Sequence, residues 1–272
     1  MRSDEGQALL QRCADLGLQV EYELHAMEHL LPREQFAQYP ELFRVNEQGD
    51  RSPDANLCPN SDAAMEIVAE NAVVLCEVLR PTSGRYFIWG DDGRAWCHCP
   101  KCRSLSDSDQ ALLVDNHLLR ALRRSDPRAT FAHLAYHETI APPSEVVPEP
   151  GIFLEFAPIH RQYDAPLVEQ SSPDMPDSIE ALQANLSFFG TQGAQVLEYW
   201  LDNSRFSGWK RENVKAVPWR PDVMAADLDA YGGLGVQHIT TFACFMGYDY
   251  VQQFGEPPVD EYGELLRDWR PG

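Results

Sequence analysis

Basic residues are scarce in this sequence, and they are not clustered. The chain has 22 Lys and Arg residues against 42 Asp and Glu residues, which gives a formal net charge of -20. A nucleic-acid-binding surface needs clustered Lys and Arg to displace counterions, and an anionic membrane surface attracts the same residues. The composition therefore argues against nucleic acid and against a membrane as partners.

Long apolar runs are absent as well. No run approaches the roughly 18 residues that a membrane-spanning helix requires, and residues 1–17 contain no apolar core of a signal peptide. The seven cysteines are an odd number, in a chain long enough to fold without disulfide bonds. We therefore expect a reduced, cytoplasmic protein, on the condition that residue 1 is the natural start.

Motifs of two large enzyme classes are missing too. The stretches GDDG and YGGLG do not match a phosphate-binding loop or a dinucleotide-binding pattern. No GxSxG motif is found, so a serine nucleophile of that type has no support. These absences argue against kinases and dehydrogenases, and no organic cofactor is predicted.

The patterned segments alternate between helix and strand. Such alternation predicts a parallel sheet with helical crossovers. A chain of 272 residues fits one domain, since (β/α) barrels of roughly 250 residues are common. We predict a single α/β domain of the TIM barrel type over residues 1–272, with a last helix near 258–268. Six candidate strands lie near residues 18–26, 85–90, 130–136, 152–158, 195–201 and 236–244.

Six strands are two fewer than a closed barrel contains. A chain that begins inside the barrel pattern, without its first two strands, explains this count better than two further strands hidden in segments such as 42–57. The Pro-rich segments 140–150 and 165–177 are predicted to be loops rather than domain linkers. The segment 140–150 is too short to hold a regular crossover helix, and its local sequence does not explain why the connection is so short.

Acidic and aromatic residues recur where the predicted strands end. In a parallel barrel the ligand lies at the carboxyl ends of the strands. Carboxylates beside aromatic rings suit a sugar, and cleavage of a glycosidic bond requires an acid and a second group that supplies or orients the nucleophile. The candidate catalytic residues are Asp91, Asp92, Glu138, Glu198 and Asp202, and the candidate substrate-binding residues are His25, Trp89, Tyr136, His137, Arg161, Tyr199 and Trp200.

A structural explanation competes with this one. Charged layers inside a parallel barrel can serve packing alone, because a buried carboxylate is tolerated when it is paired or hydrogen-bonded. Glu21, Glu23 and Glu155 fit structural salt bridges as well as they fit a ligand site. His133 and His238 are interpreted as ordinary core or surface histidines.

Three cysteines, Cys97, Cys99 and Cys102, lie within six residues of one another. In a protein without signs of secretion, such a group suggests thiolate ligands of a structural zinc ion. Cys58 is the best candidate for the fourth ligand, and His98 is the next. The alternative is a set of reduced thiols packed under a loop.

Several stretches together resemble a known family. They include EYELHAMEHLLP, NLCPN, FIWGDDGRAWCHCPKC, AHLAYHETIAPP and VLEYWLDNSRFSGWK. These stretches resemble the glycoside-hydrolase-like proteins that carry a large domain of unknown function, and the resemblance spans residues 18–265. Its most specific parts are the run from Trp96 to Cys102 and the YWLD sequence from Tyr199 to Asp202.

The resemblance implies a (β/α) barrel akin to those of α-glucuronidase and β-N-acetylhexosaminidase. In hexosaminidase-type barrels an adjacent acidic pair follows the fourth strand, and Asp91 with Asp92 resembles that pair. The strand at 18–26 is then the third strand of the barrel. A barrel without two strands has open edges, which favours an incomplete, inactive or dimeric protein in which a second copy covers them.

These observations leave three hypotheses. The first is a glycoside hydrolase in which Asp91 and Asp92 are the acid and the orienting residue, with Glu138, Glu198 or Asp202 as the partner carboxylate. The second is a non-catalytic carbohydrate-binding or assembly protein on a degenerate barrel. The third is a zinc enzyme with the cysteines at its active centre. It is disfavoured because three of the ligands are thiolates and no set of His and Glu ligands with an open position lies nearby.

Overall fold

The computed structural model describes residues 2–170 and 176–270. The predicted loop at 165–177 is described only in part, since residues 171–175 lie outside these ranges. The strands are β1 (Glu23–His25), β2 (Arg85–Trp89), β3 (Thr130–Ala135), β4 (Ile152–Phe156), β5 (Gln195–Glu198) and β6 (His238–Thr241). The helices are α1 (Asp4–Asp15), α2 (Met27–Leu30), α3 (Asp62–Val78), α4 (Asp107–Leu122), α5 (Ile179–Phe189), α6 (Asn203–Phe206), α7 (Pro221–Gly233), α8 (Tyr248–Phe254) and α9 (Val259–Asp268).

The six strands form one sheet in the order β1-β2-β3-β4-β5-β6. The pairs β1 with β2, β2 with β3, β4 with β5, and β5 with β6 are parallel. In this register His25 lies beside Trp89, and Glu198 lies beside Thr241. An α/β fold with six parallel strands is therefore confirmed, and the strictly sequential order is the one that part of a (β/α) barrel requires.

The strands are shorter than the sequence predicts. The strand expected at 18–26 covers only Glu23–His25, and the one expected at 195–201 ends at Glu198. All residues of β4 and β5 are buried. Strands covered on both faces have near-continuous apolar sequences, so the buried residues that follow β5 extend its pattern beyond the hydrogen-bonded ladder.

Helix boundaries follow local capping signals. The Ser61 side chain accepts a hydrogen bond from the backbone N–H of Ala64 and begins α3. Ser106 and Asp109 form a capping box at the start of α4. Helices α2, α6 and α8 are short, at four to seven residues, and the sequence pattern did not predict them. No described helix is both long and apolar enough to cross a membrane.

The chain divides into two compact units. The first comprises Met1–Leu134 with Ala141–Phe153, and the second comprises Ala135–Ile140 with Leu154–Gly272. Helices α3 and α4 pack together in the first unit, and α7 packs against α9 in the second. The core of the second unit includes Leu154, Phe156, Leu182, Val196, Trp200, Leu228 and Tyr231.

Candidate functional site

The acidic pair follows the end of β2 in the first unit, and Asp91 is held tightly there. Its Oδ2 atom accepts a hydrogen bond from the backbone N–H of Asn56 at 2.5 Å and forms an ion pair with the guanidinium of Arg33. The Asp91 backbone N–H in turn donates to Asn56 Oδ1 at 2.8 Å. The Asp91 side chain is 16% exposed, so this carboxylate is engaged in positioning the turn.

Asn56 organises the turn around the acidic pair. It is fully buried, and its φ of 39° is in the left-handed region. Its Nδ2 donates to the carbonyl oxygens of Arg94 and Ala95, both at 3.1 Å. Gly90 permits this approach, because a Cβ atom there would lie 2.9 Å from Asn56 Oδ1. Asn56 was not predicted, since its partners lie 23 to 39 residues away.

Asp92 has the opposite surroundings from Asp91. Its side chain is 66% exposed, and its Oδ1 lies 3.5 Å from His25 Nε2. His25 Nδ1 lies 2.7 Å from the carbonyl oxygen of Gly90, which can only accept, so Nδ1 donates there and Nε2 faces the carboxylate. The Trp89 ring contacts the His25 ring edge-on, with centroids 5.0 Å apart. The turn therefore presents one accessible carboxylate beside an imidazole with a defined tautomer.

The four predicted cysteine ligands come together in the first unit. Cys58, Cys97, Cys99 and Cys102 are buried, and their sulfur atoms all lie within 4.8 Å of one another. The distance from Cys58 Sγ is 3.8 Å to Cys99 Sγ and 4.0 Å to Cys102 Sγ. Tetrahedral zinc with bonds to sulfur of about 2.3 Å separates its ligand sulfurs by about 3.8 Å. This cluster could therefore bind a metal ion.

Hydrogen bonds to the sulfurs also fit thiolate ligands. Cys97 Sγ accepts from the backbone N–H of Val45 at 3.3 Å, and Cys102 Sγ accepts from Asn60 Nδ2 at 3.1 Å. Hydrogen bonds with the thiols of Cys102 and Cys97 lower the pKa of Cys58. Hydrogen bonds with Cys58 and Cys97 in turn raise the pKa of Cys102. The donors that favour the thiolate form, which is the form that binds metal, are therefore the N–H groups of Val45 and Asn60.

His98 is not part of the cluster. Its imidazole is nearly half exposed, and its Nε2 lies 3.6 Å from Glu47 Oε1. The backbone N–H of His98 donates to the carbonyl oxygen of Val45, which holds the chain between Cys97 and Cys99 in place. Cys58 is therefore the fourth member of the group, as the sequence predicted, and His98 is not.

A buried charge network occupies the second unit. Arg161 Nη1 donates to Glu198 Oε1 at 2.5 Å and to Asp227 Oδ2 at 2.6 Å, and all three side chains are fully buried. The Tyr231 hydroxyl donates to Glu198, and Trp200 Nε1 donates to Asp227 Oδ2 at 3.0 Å. Burial raises the pKa of Glu198, although the Arg161 charge opposes that shift. Every member of the network has a partner, as a structural role requires.

Several predicted site residues thus have structural contacts in the second unit. Glu198 and Arg161 belong to the charge network, and Trp200 donates to it. Asp202 caps α6 through its Oδ1, which accepts from the backbone N–H of Ser204 at 3.1 Å. Tyr199 is buried, and burial raises the pKa of its phenol. These side chains offer little surface to a ligand, and the same holds for Trp89 in the first unit.

The end of β3 presents the remaining candidates. His137 has a φ of 47°, and its ring contacts the rings of Tyr136 at 4.3 Å and His160 at 4.5 Å. A left-handed backbone at a histidine is uncommon and often marks a functional position. Glu138 follows on the surface, with its side chain exposed. Glu138 is therefore the accessible carboxylate among the three proposed partners.

Comparison with known proteins identifies one family. The sequence profile of a domain of unknown function, DUF4838, matches residues 8–187, which is about two thirds of the chain. The match includes the acidic pair and all four clustered cysteines, and it ends before Glu198 and Asp202. A comparison with curated proteins finds no match.

Proposed function

The chain belongs to the family of the domain of unknown function DUF4838, and we propose that it is a carbohydrate-active protein that hydrolyses a glycosidic bond. The observation that carries the proposal is the accessible carboxylate of Asp92 beside His25, at the carboxyl ends of the parallel strands β1 and β2. Ligand sites of parallel barrels form at these ends. The resemblance to glycoside-hydrolase-like barrels supports the same reaction class.

The two aspartates have different roles in this proposal. Asp92 is the reacting group, which protonates the glycosidic oxygen as the bond to the leaving group breaks. His25 Nε2 faces it and exchanges the proton. Asp91 is a positioning residue, because its carboxylate is held by Arg33 and Asn56. Hydrolysis also requires a second group that activates water or attacks the sugar.

Substitution of Asp92 tests the assignment. The wild-type protein and the Asp92→Asn and Asp50→Asn variants are incubated with a panel of 4-nitrophenyl glycosides. We expect Asp92→Asn to lower turnover by about 100-fold or more, the usual contribution of a general acid. The exposed Asp50 is a matched control, and its variant retains wild-type turnover. Undiminished turnover by Asp92→Asn would contradict the role of Asp92.

A second candidate function is a non-catalytic carbohydrate-binding protein. It is favoured by the contacts of Glu198 and Asp202, which commit two of the three proposed partner carboxylates to the charge network and to a helix cap. This function predicts that no aryl glycoside of the panel is turned over. It also predicts oligosaccharide binding by calorimetry that Asp92→Asn leaves unchanged.

We also propose that the sheet is part of a TIM-type (β/α) barrel in which β1 takes the place of the third strand. The sequential parallel order of the strands supports this assignment. The acidic turn then follows the fourth strand, which is where hexosaminidase-type barrels carry their acidic pair. Open edges at β1 and β6 favour association with a second copy of the chain.

The metal of the cysteine cluster is proposed to be zinc in a structural role. Four sulfur ligands at tetrahedral spacing suit zinc, and a set of four protein ligands leaves no open position for a substrate. The ligands join two segments of the first unit, around Cys58 and around Cys97 to Cys102. Asn56 and the acidic turn lie next to these segments in the chain. Zinc would thus fix the loops that carry Asp91 and Asp92.

A further inference from the structure

Trp209 is an exposed aromatic residue that the proposed chemistry does not use. Its side chain is 66% exposed, whereas Trp89 and Trp200, the tryptophans expected to contact sugar, are each only 5% exposed. It lies in the second unit, in the loop that follows α6. Packing in the interior therefore accounts for a tryptophan at positions 89 and 200, but not at position 209.

The backbone at Trp209 is also unfavourable for a tryptophan. Gly208 and Trp209 have φ values of 65° and 58°, both in the left-handed region. Glycine adopts this conformation freely, whereas for a bulky residue it is a strained outlier. The Trp209 backbone N–H donates to the carbonyl oxygen of Ser204 at 2.6 Å, which holds the conformation. An exposed, strained tryptophan gains no burial that offsets this cost, and such strain clusters at functional sites.

A depression lies within the same loop. Its volume is about 540 Å³, within the range of about 300–1,000 Å³ that is typical of ligand pockets. The structure gives the side chains of Glu212, Asn213 and Lys215 no hydrogen bond with another described residue. The residues that line the depression are Phe206, Ser207, Glu212, Asn213, Val214 and Lys215.

The chemistry of the loop matches a neutral sugar. A carboxylate, an amide and an ammonium group together offer acceptors and donors for hydroxyl groups, and their opposite charges favour a ligand without net charge. An exposed indole provides an apolar face on which a pyranose ring can stack. We propose that Trp209 and this depression form a binding subsite for a neutral oligosaccharide. The choice of ligand class rests on the proposed carbohydrate function.

Replacement of Trp209 by glycine separates binding from folding. Glycine relieves the left-handed strain, so the melting temperature of Trp209→Gly should equal or exceed that of the wild type. Calorimetry with cellohexaose, xylohexaose and chitohexaose identifies the hexasaccharide that binds best. We expect Trp209→Gly to weaken its binding by about tenfold or more, and Trp209→Tyr, which keeps an aromatic ring, by no more than about threefold. Tyr39→Ala removes an exposed aromatic residue of the first unit and should leave binding unchanged.

The outcomes distinguish this inference from the proposed hydrolysis. Binding that depends on Trp209 supports the subsite even if the wild-type protein hydrolyses no glycoside. Binding that Trp209→Gly leaves unchanged, or no binding of any of the three hexasaccharides, overturns the subsite. Turnover that Asp92→Asn abolishes would still support the hydrolase in that case.

Discussion

Asp91 and Asp92 are neighbours in the chain, yet their side chains have opposite surroundings. Asp91 is largely buried and accepts from Arg33 and Asn56, whereas Asp92 is mostly exposed beside His25. A charge with fixed partners stabilises the fold, and an accessible one is available for chemistry. The structure thus divides between two residues what the sequence presents as a single pair.

This division predicts different effects of the same substitution. Asp91→Asn leaves the Arg33 guanidinium without its counter-charge, so we expect the free energy of unfolding to fall by about 2 kcal/mol or more. Asp92→Asn removes an exposed charge and should change it by less than about 0.5 kcal/mol. Urea denaturation of the two variants makes the comparison, and each serves as the control for the other. Equal destabilisation would contradict the assigned roles.

Residue-level prediction from the sequence succeeded where the signal was local. Three of the cysteines are close in the sequence, so the cluster could be identified, and Cys58 was chosen as the fourth member because it lies in the loop-like segment NLCPN. Asn56 could not, because its backbone conformation and its distant partners leave no local pattern. The proposed sugar contacts at Trp89, Tyr199 and Trp200 were inferred from their places at the ends of predicted strands, which do not reveal that each of these rings is buried.

At the scale of elements, Asp109 accounts for the irregular connection before β4. This side chain at the start of α4 accepts from the backbone N–H groups of Ser144, Glu145 and Val146, at 2.8 to 3.0 Å. The segment 141–150 is held without a crossover helix, because this carboxylate satisfies three of its backbone donors. No local sequence signal predicts this connection, since Asp109 lies more than 30 residues away and also fits a simple helix-capping pattern.

The pKa of Asp109 gives this contact a pH dependence. Burial alone would raise the pKa, but hydrogen bonds from Ser106 and from the three backbone N–H groups lower it from 3.8 to about 2. A depressed folded-state pKa contributes stability that is present above the unfolded value and is lost as pH falls through the folded value. We therefore expect Asp109→Asn to lower the free energy of unfolding by about 2 kcal/mol at pH 7.

The difference between wild type and Asp109→Asn should shrink as pH falls from 3.8 to about 2, where the wild-type carboxyl becomes neutral as well. Urea denaturation of both proteins at several pH values measures it. Comparison with the variant removes the contribution of the other carboxylates, which both proteins share. A difference that stays constant over this pH range would show that the charge of Asp109 does not hold the loop.

The cysteine cluster makes a second prediction at the scale of elements. If it holds structural zinc, the purified protein contains one zinc ion per chain, and Cys58→Ser loses most of it. Cys76 is the matched control, because it is a buried cysteine outside the cluster and burial raises the pKa of its thiol to about 12. Cys76→Ala should keep its zinc. Elemental analysis measures the zinc content of the three proteins. Full zinc occupancy in Cys58→Ser would show that Cys58 is not a ligand.

At the scale of the whole molecule, alternation of helix and strand was the strongest signal in the sequence. It predicted all six strands and their parallel arrangement, because most of the strands are apolar runs that alternate with helical segments. It did not predict the division into two compact units. That division depends on contacts between distant segments. One of its boundaries, between Ile140 and Ala141, lies at the start of the Pro-rich segment 140–150, which the sequence predicted to be a loop rather than a linker.

The sheet has two edge strands, β1 and β6, each paired with one neighbour within the described residues. Unpaired strand edges favour association with another copy. The net charge of -20 opposes it, because two acidic chains repel each other. Salt screens this repulsion, since the Debye length falls from about 10 Å at 0.1 M to about 3 Å at 1 M. Sedimentation velocity should therefore show a larger species that grows with salt concentration, whereas a single-chain mass at every salt concentration would mean that the edges do not drive association.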